Sequence, residues 1–200
     1  MSEDTIGNRW SESEEQIMEA TRRALLQHGY AQLSISRIAD ELNQSKASLY
    51  YHYDSKEDLL QSFLEFTIDR LEANIDTDDE APNRELEQLV EALLPLQLSD
   101  EESQHRAVMV ELRSQAVMND KFREQFTEID GLIVKRMERI IDRGIDEGVF
   151  RNVDSRRVAE HIFATTSGAT YNRATTDRSA AVAAVRVSLL SYINNELIQG

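Results

Sequence analysis

Two hundred residues with 40% hydrophobic content and a formal charge of −15 describe a folded, strongly acidic chain of one domain or two small ones, too apolar for disorder. There is no Cys, which removes disulfides, thiolate metal sites and Cys nucleophiles. No apolar run approaches the roughly 18 residues that span a bilayer, and MSEDTIGNRW lacks the regions of a signal peptide, so a cytoplasmic protein with no membrane partner is expected.

Apolar residues recur at three and four along the chain, with only seven Gly and two Pro, and no stretch alternates like a strand, so the fold class is all-α. A first helix is predicted over SEEQIMEATRRALLQHG, with Ser13 and Gln16 as a capping box and Gly29 as its stop. SISRIADEL follows, capped by Ser34, then SKASLYYHY, capped by Ser45. A long fourth helix opens at SKEDLL with Ser55 and Asp58 as its capping box. The acidic DTDDEAPN breaks the periodicity and reads as a loop. Helices are then predicted over about 83–98, from Ser99 or Asp100 to Met118, from Asp120 to Glu147 with Gly148 as the stop, from the cap Asp154 to Ala174, and over about 178–198. The count is nine.

Ser34 to Tyr53 has the pattern of a helix-turn-helix. Ile35, Ile38, Ala39 and Leu42, with Leu49 and Tyr53, form apolar faces that can pack on helix one, which leaves the second short helix free to enter a major groove. From Asn43 to Tyr53 the segment carries no acid, in a chain with 37 acidic residues. A carboxylate there would face phosphates. Lys46, Ala47 and Ser48 suit base edges, and Tyr50, Tyr51 and His52 join an apolar body to a polar tip. Lys56, at the start of helix four, adds an ammonium to backbone N–H groups that can hold a phosphate.

LSISRIADELNQSKASLYYHYDSKEDLL resembles the DNA-binding signature of the TetR/AcrR family of one-component transcriptional regulators. The shared features are the hydroxyl residue opening helix two, the IA pair, the SK-small-SLYYHY recognition helix and SKEDLL. GVFRNVDSRRVA is similar to a glycine–aromatic–aspartate feature late in the family's regulatory domains. The resemblance implies a TetR-like, nine-helix architecture: a DNA-binding domain over residues 1–54 and a ligand-binding and dimerisation domain over 55–200. It implies phosphate contacts at Ser34, Tyr50, His52 and Lys56, and base-proximal positions at Lys46, Ala47, Ser48 and Tyr51, with Ser36 and Arg37 as additions. Arg37 can instead pair with Glu41 at i+4. The turn departs from the family pattern. Asn43 and Gln44 stand where Gly and a small apolar residue are usual, so Gln44 either loosens the turn or points outward and joins the DNA contacts.

The excess acid lies away from the DNA-binding part, with a net of −3 over residues 1–53 and −12 over the rest. Four Lys against eighteen Arg, with so much acid, gives the composition of a surface adapted to salt-rich cytoplasm in preference to an ordinary acidic protein. At molar salt the Debye length is about 3 Å, so distant acids would not repel DNA. The final helix is apolar on two faces, one with Val182, Val185, Leu189 and Tyr192 and the other with Ala183, Val187 and Leu190. Two faces need two partners. A homodimer through the last two helices is expected, with Val182, Val185, Leu189 and Tyr192 at its interface, and the family resemblance implies the same helices.

The resemblance also implies an effector cavity among helices five to eight. Met109, Leu112, Met118, Phe122, Phe126, Ile129, Ile133, Phe163 and Tyr171 are its candidate lining, and His105, Glu111, Arg113 and His161 the candidate polar groups. The expected function is a homodimeric repressor on a palindromic double-stranded operator, released by a small, apolar effector. An activator, an effector-independent regulator and a helical interaction protein that binds no DNA remain as alternatives. His28, His52, His105 and His161 lack metal-ligand spacing, and no phosphate loop or nucleophile elbow occurs. Neither catalysis nor a cofactor or metal is expected.

Overall fold

The computed structural model describes residues 9–42, 46–73 and 80–199, and the side chains of all of these except 46, 71–73 and 179. Among them are nine α-helices: α1 Glu12–Gln32, α2 Ile35–Leu42, α3 Lys46–His52, α4 Lys56–Ala73, α5 Pro82–Leu93, α6 Asp100–Gln115, α7 Asp120–Asp146, α8 Ser155–Thr175 and α9 Ser179–Tyr192. A π-helical turn, Ile193–Leu197, continues α9. The all-α expectation holds, with a helix-turn-helix at the N-terminal end and a helical domain after it.

Most helix ends are set by local chemistry. At α1 the cap differs from the one predicted. Ser11, not Ser13, accepts the Glu14 N–H, and the Glu14 carboxylate takes the Ser11 N–H at 2.8 Å. The Ser11 contacts hold the Glu14 carboxyl below its ordinary range. A carboxylate accepts more strongly than the Gln16 amide would, so the helix starts one residue before Ser13. This start also buries Trp10, whose indole N–H donates to Asp69 at 2.6 Å and whose ring meets Phe66 edge-on at 5.5 Å. Gly29, at φ 67°, breaks the regular turn of α1 before one last turn.

α6 has its capping box on Ser99 and Glu102. The Asn119 side chain caps α7, and that of Asp154 caps α8. Ser55 accepts the Asp58 N–H at 3.0 Å, while the Asp58 carboxylate takes the Asp54 N–H at 3.2 Å, one residue outside a strict capping box.

Two cores stack along the molecule. The first joins Ile17, Leu25, Ile38 and Leu49 of α1–α3 to Leu60 and Phe63 of α4, and runs on into Val108 and Leu112 of α6 and Phe122 and Phe126 of α7. Packing therefore continues across residue 54. The second joins α5, the later half of α7, α8 and α9 around Leu86, Met137, Ile141, Phe150 and Ile162. Glu85 is buried where α5 meets α7, with Arg136 and Arg143 both on its carboxylate. A buried carboxylate survives only with such partners.

Candidate nucleic-acid interface and ligand cavity

α2 and α3 are seated by their apolar faces. Ile35, Ile38, Ala39, Leu49 and Tyr53 are buried in the first core, and Leu42 is partly so. Burial, with Glu14 and Asp58 close by, pushes the Tyr53 phenol up to about 12, so it stays neutral. The other face of α3 points out. Ala47 and His52 are exposed, Tyr50 is half exposed, and Tyr51 is 86% exposed with its ring edge-on to His52 at 5.3 Å. Ser48 is half-buried. Tyr50, Tyr51 and His52 together make a contiguous exposed ring surface on this face.

The remaining candidates surround this face. Ser34 accepts the Arg37 N–H at 3.3 Å as the cap of α2. Ser36 is half-buried. Arg37 does not pair with Glu41: its guanidinium donates to the Gln32 carbonyl at 2.5 Å, and Glu41 is taken by Arg23 at 3.2 Å. The Lys56 ammonium lies 4.2 Å over the Tyr30 ring, which holds the cation at the end of α1 and the start of α4. Gln44 and the side chain of Lys46 lie outside the described residues.

A cavity of about 870 Å³ opens between α6, α7 and α8. Met109, Phe126, Ile129, Ile133, Phe163 and Tyr171 line it. Three of the expected lining residues do not. Leu112 and Phe122 are buried in the first core, and Met118 is 91% exposed in the turn after α6. That turn, Ala116–Met118, ends α6 earlier than the periodicity suggested, and so swings Met118 outward. His105 and Arg113 reach the cavity. His161 instead meets Tyr192 edge-on at 5.6 Å, and Glu111 faces α1.

Sequence reasoning missed the cavity's other polar residues. Arg22 arrives from α1, paired with Glu19 and Glu101 at 3.0 Å each. Arg106 donates to the Leu93 and Ala92 carbonyls, both at 3.1 Å. Thr166, Ser167 and Thr170 of α8 complete the wall. Among the described side chains of α4 none lines the cavity; α4 packs on α7, which does. α1 and α6 make the direct link. The Glu111 carboxylate, between the lining residues Val110 and Arg113, accepts the Tyr30 N–H at 2.8 Å. A Cβ on Gly29 would stand 3.2 Å from that carboxylate, so glycine serves both the positive φ and the close approach.

The outer face of α9 also corrects the expectation. Val182 and Leu189 are 1% and 3% exposed and sit in the chain's own second core, with Val185 and Tyr192 packed against them. The face left outward carries Ala183, Ala184 and Val187, the last 66% exposed.

A recognition helix presented by a three-helix support, joined through shared core to a helical domain with a cavity, defines a helix-turn-helix regulator. Residues 17–63 match the family described as bacterial regulatory proteins, tetR family, and residues 82–197 match the C-terminal domain of BetI-type transcriptional repressors. The chain belongs to the TetR family of transcriptional regulators. It is 31% identical over 141 residues to an uncharacterised HTH-type transcriptional regulator of Mycobacterium bovis, spanning 68% of this chain and 66% of that one, just under two thirds of the relative's length. It is 20% identical over 145 residues to the HTH-type transcriptional repressor AcnR of Corynebacterium glutamicum, 72% of each. The crystal structure of a TetR transcription regulator from Haloarcula marismortui superposes with a TM-score of 0.81 at 34% identity, covering 95% of this chain and 100% of that one. A transcriptional regulator from Saccharomonospora viridis, solved in complex with choline, superposes with a TM-score of 0.77 at 26% identity, covering 96% and 100%.

Proposed function

We propose that this protein is a cytoplasmic homodimeric repressor, not an enzyme, which binds a palindromic operator and is released by a small effector in the cavity. The observation that carries the reading is the exposed, acid-free face of α3, with Tyr51 86% in solvent on a helix whose other side is anchored by the buried Leu49. The family and its repressor relatives support it. The proposed pairing uses the outward faces of α8 and α9, because the inward stripe is occupied. The two recognition helices must then stand about 34–36 Å apart to meet successive major grooves.

The test is operator binding read by fluorescence anisotropy on cognate and random duplexes. Tyr51→Ala and Lys46→Ala should cost about 1–3 kcal/mol on the cognate site and relax its sequence preference. Lys56→Ala should weaken all sequences alike and lower the salt slope by about one per chain. Equal losses on both duplexes for all three variants would sink the assignment.

The proposed route from cavity to DNA runs through α6 and α1. A ligand that shifts α6 moves the Glu111 carboxylate, which holds the backbone of Tyr30, whose ring carries Lys56. Glu111→Ala should leave operator and effector each able to bind, yet reduce the effector's influence on operator affinity about fivefold, the low end of a typical coupling. Titrations of effector with and without operator measure it. Unchanged coupling in this variant would remove Glu111 from the route.

A further inference from the structure

We infer that the cavity takes an amphipathic anion, with its carboxylate-like head against Arg106 and its apolar tail along Met109, Phe126, Ile129, Ile133 and Phe163. This rests on the reading of the cavity as an effector site and specifies its chemistry.

The charges around the cavity are unequal in kind. Its two carboxylates are already engaged at the rim: Glu101 with Arg22 at 3.0 Å, and Glu102 with the Ser99 N–H at 2.7 Å as part of the α6 cap. Arg113 is matched as well, bidentate on Asp130 at 2.8 and 2.6 Å. Arg106 differs. It is half-buried, and its hydrogen bonds go to the last carbonyls of α5, which fix the guanidinium and leave part of its donor fork unused. Among the described residues no carboxylate lies within ion-pair distance of it. Burial and the charge of Arg173 in the last turn of α8 both act against its protonated form, with only Glu102 opposing them. Burial, then Arg22 and Arg106, likewise depress the neighbouring His105. A half-buried guanidinium beside a second cation is costly until an anion arrives. In a chain of charge −15, Arg106 is thus a cation that no carboxylate pairs at ion-pair distance among the described residues.

Arg106 and Arg113 set the anionic head against a quaternary ammonium as the alternative occupant. An ammonium head binds best against open aromatic faces. Here the Arg113 guanidinium already covers the Phe126 ring at 4.6 Å. The Saccharomonospora viridis regulator was solved with choline, so a cationic probe belongs beside the anionic one in the test.

Three probes sharing a ten-carbon tail separate head from tail: decanoate, decan-1-ol and decyltrimethylammonium. Calorimetry on the full-length protein should show decanoate binding at least about tenfold tighter than the ammonium probe, as expected for a charge-assisted contact. Arg106→Gln should lower decanoate affinity about tenfold and leave decanol unchanged, while Arg106→Lys keeps most of the decanoate affinity. Equal losses for decanoate and decanol would mean that Arg106 only supports α5, and the inference fails. It also fails if the ammonium probe binds more tightly, or if no probe binds up to its solubility limit. Operator anisotropy in the same samples keeps the two readings apart. Decanoate bound through Arg106 with operator affinity unchanged upholds the anion site and overturns effector control. Operator released by the ammonium probe alone does the reverse.

Discussion

Val187→Asp is expected to turn the protein into monomers and to lower operator affinity about a thousandfold. Val187 is 66% exposed on the outward face of α9, beside Ala183 and Ala184. In the proposed homodimer the same patch meets itself across a two-fold axis, so one substitution places two carboxylates in one desolvated contact. Losing the proposed dimer would separate two half-sites that otherwise share one binding event, which typically costs about 10²–10⁴ in avidity. Light scattering at micromolar concentration and anisotropy on the palindromic operator measure the two effects. A Val187→Asp dimer with undiminished operator affinity would place the subunit contact elsewhere. Leu189→Asp is the contrasting variant. Leu189 lies in the second core, so a carboxylate there should unfold the chain's own packing before it affects any partner.

Gly144→Ala is expected to destabilise the fold by about 3 kcal/mol or more, at the upper end of overpacking costs. A Cβ at this position would stand 2.1 Å from Cδ2 and 2.5 Å from Cε2 of Phe150. The ring cannot move away easily. Phe150 is buried, and its backbone is tied on both sides: its N–H donates to the Gly144 carbonyl at 2.9 Å, and the next N–H, of Arg151, donates to Leu197 at 2.8 Å. The substitution therefore loosens the junction of α7, α8 and the chain's last turn together. Thermal melts and denaturant titrations should show it. Gly148→Ala is the control. It has open space around the added Cβ and only the positive φ of 72° to strain, for a loss of about 1 kcal/mol. Equal stability of the Gly144→Ala and wild-type proteins would mean that Phe150 has room the packing does not show.

Much of this molecule was determined by its sequence alone, and the parts that were share one property: they are local. Ile35, Ile38 and Ala39 recur at helical spacing on α2, and Leu49 and Tyr53 stand four apart at α3, so the outward face of α3 follows from spacing within about twenty residues. Ser99, Asn119 and Asp154 cap helices because a short polar side chain satisfies N–H groups two or three residues on. Gly148 ends α7 because few other residues take its φ.

Tertiary structure decided what periodicity leaves degenerate. Both faces of α9 are apolar in sequence, and only the space against α5 and α8 selected Val182 and Leu189 for the inside and Val187 for the outside. Met118 had the composition of a cavity residue but fell in a turn. Arg22 and Glu101, 79 residues apart, meet only because α1 packs on α6. Arg106 reads in sequence like any solvated arginine of a charged helix, since one charged residue every few positions is what a surface also looks like. Its half-burial against the end of α5 is a product of long-range packing, and that packing placed the cavity between α6, α7 and α8.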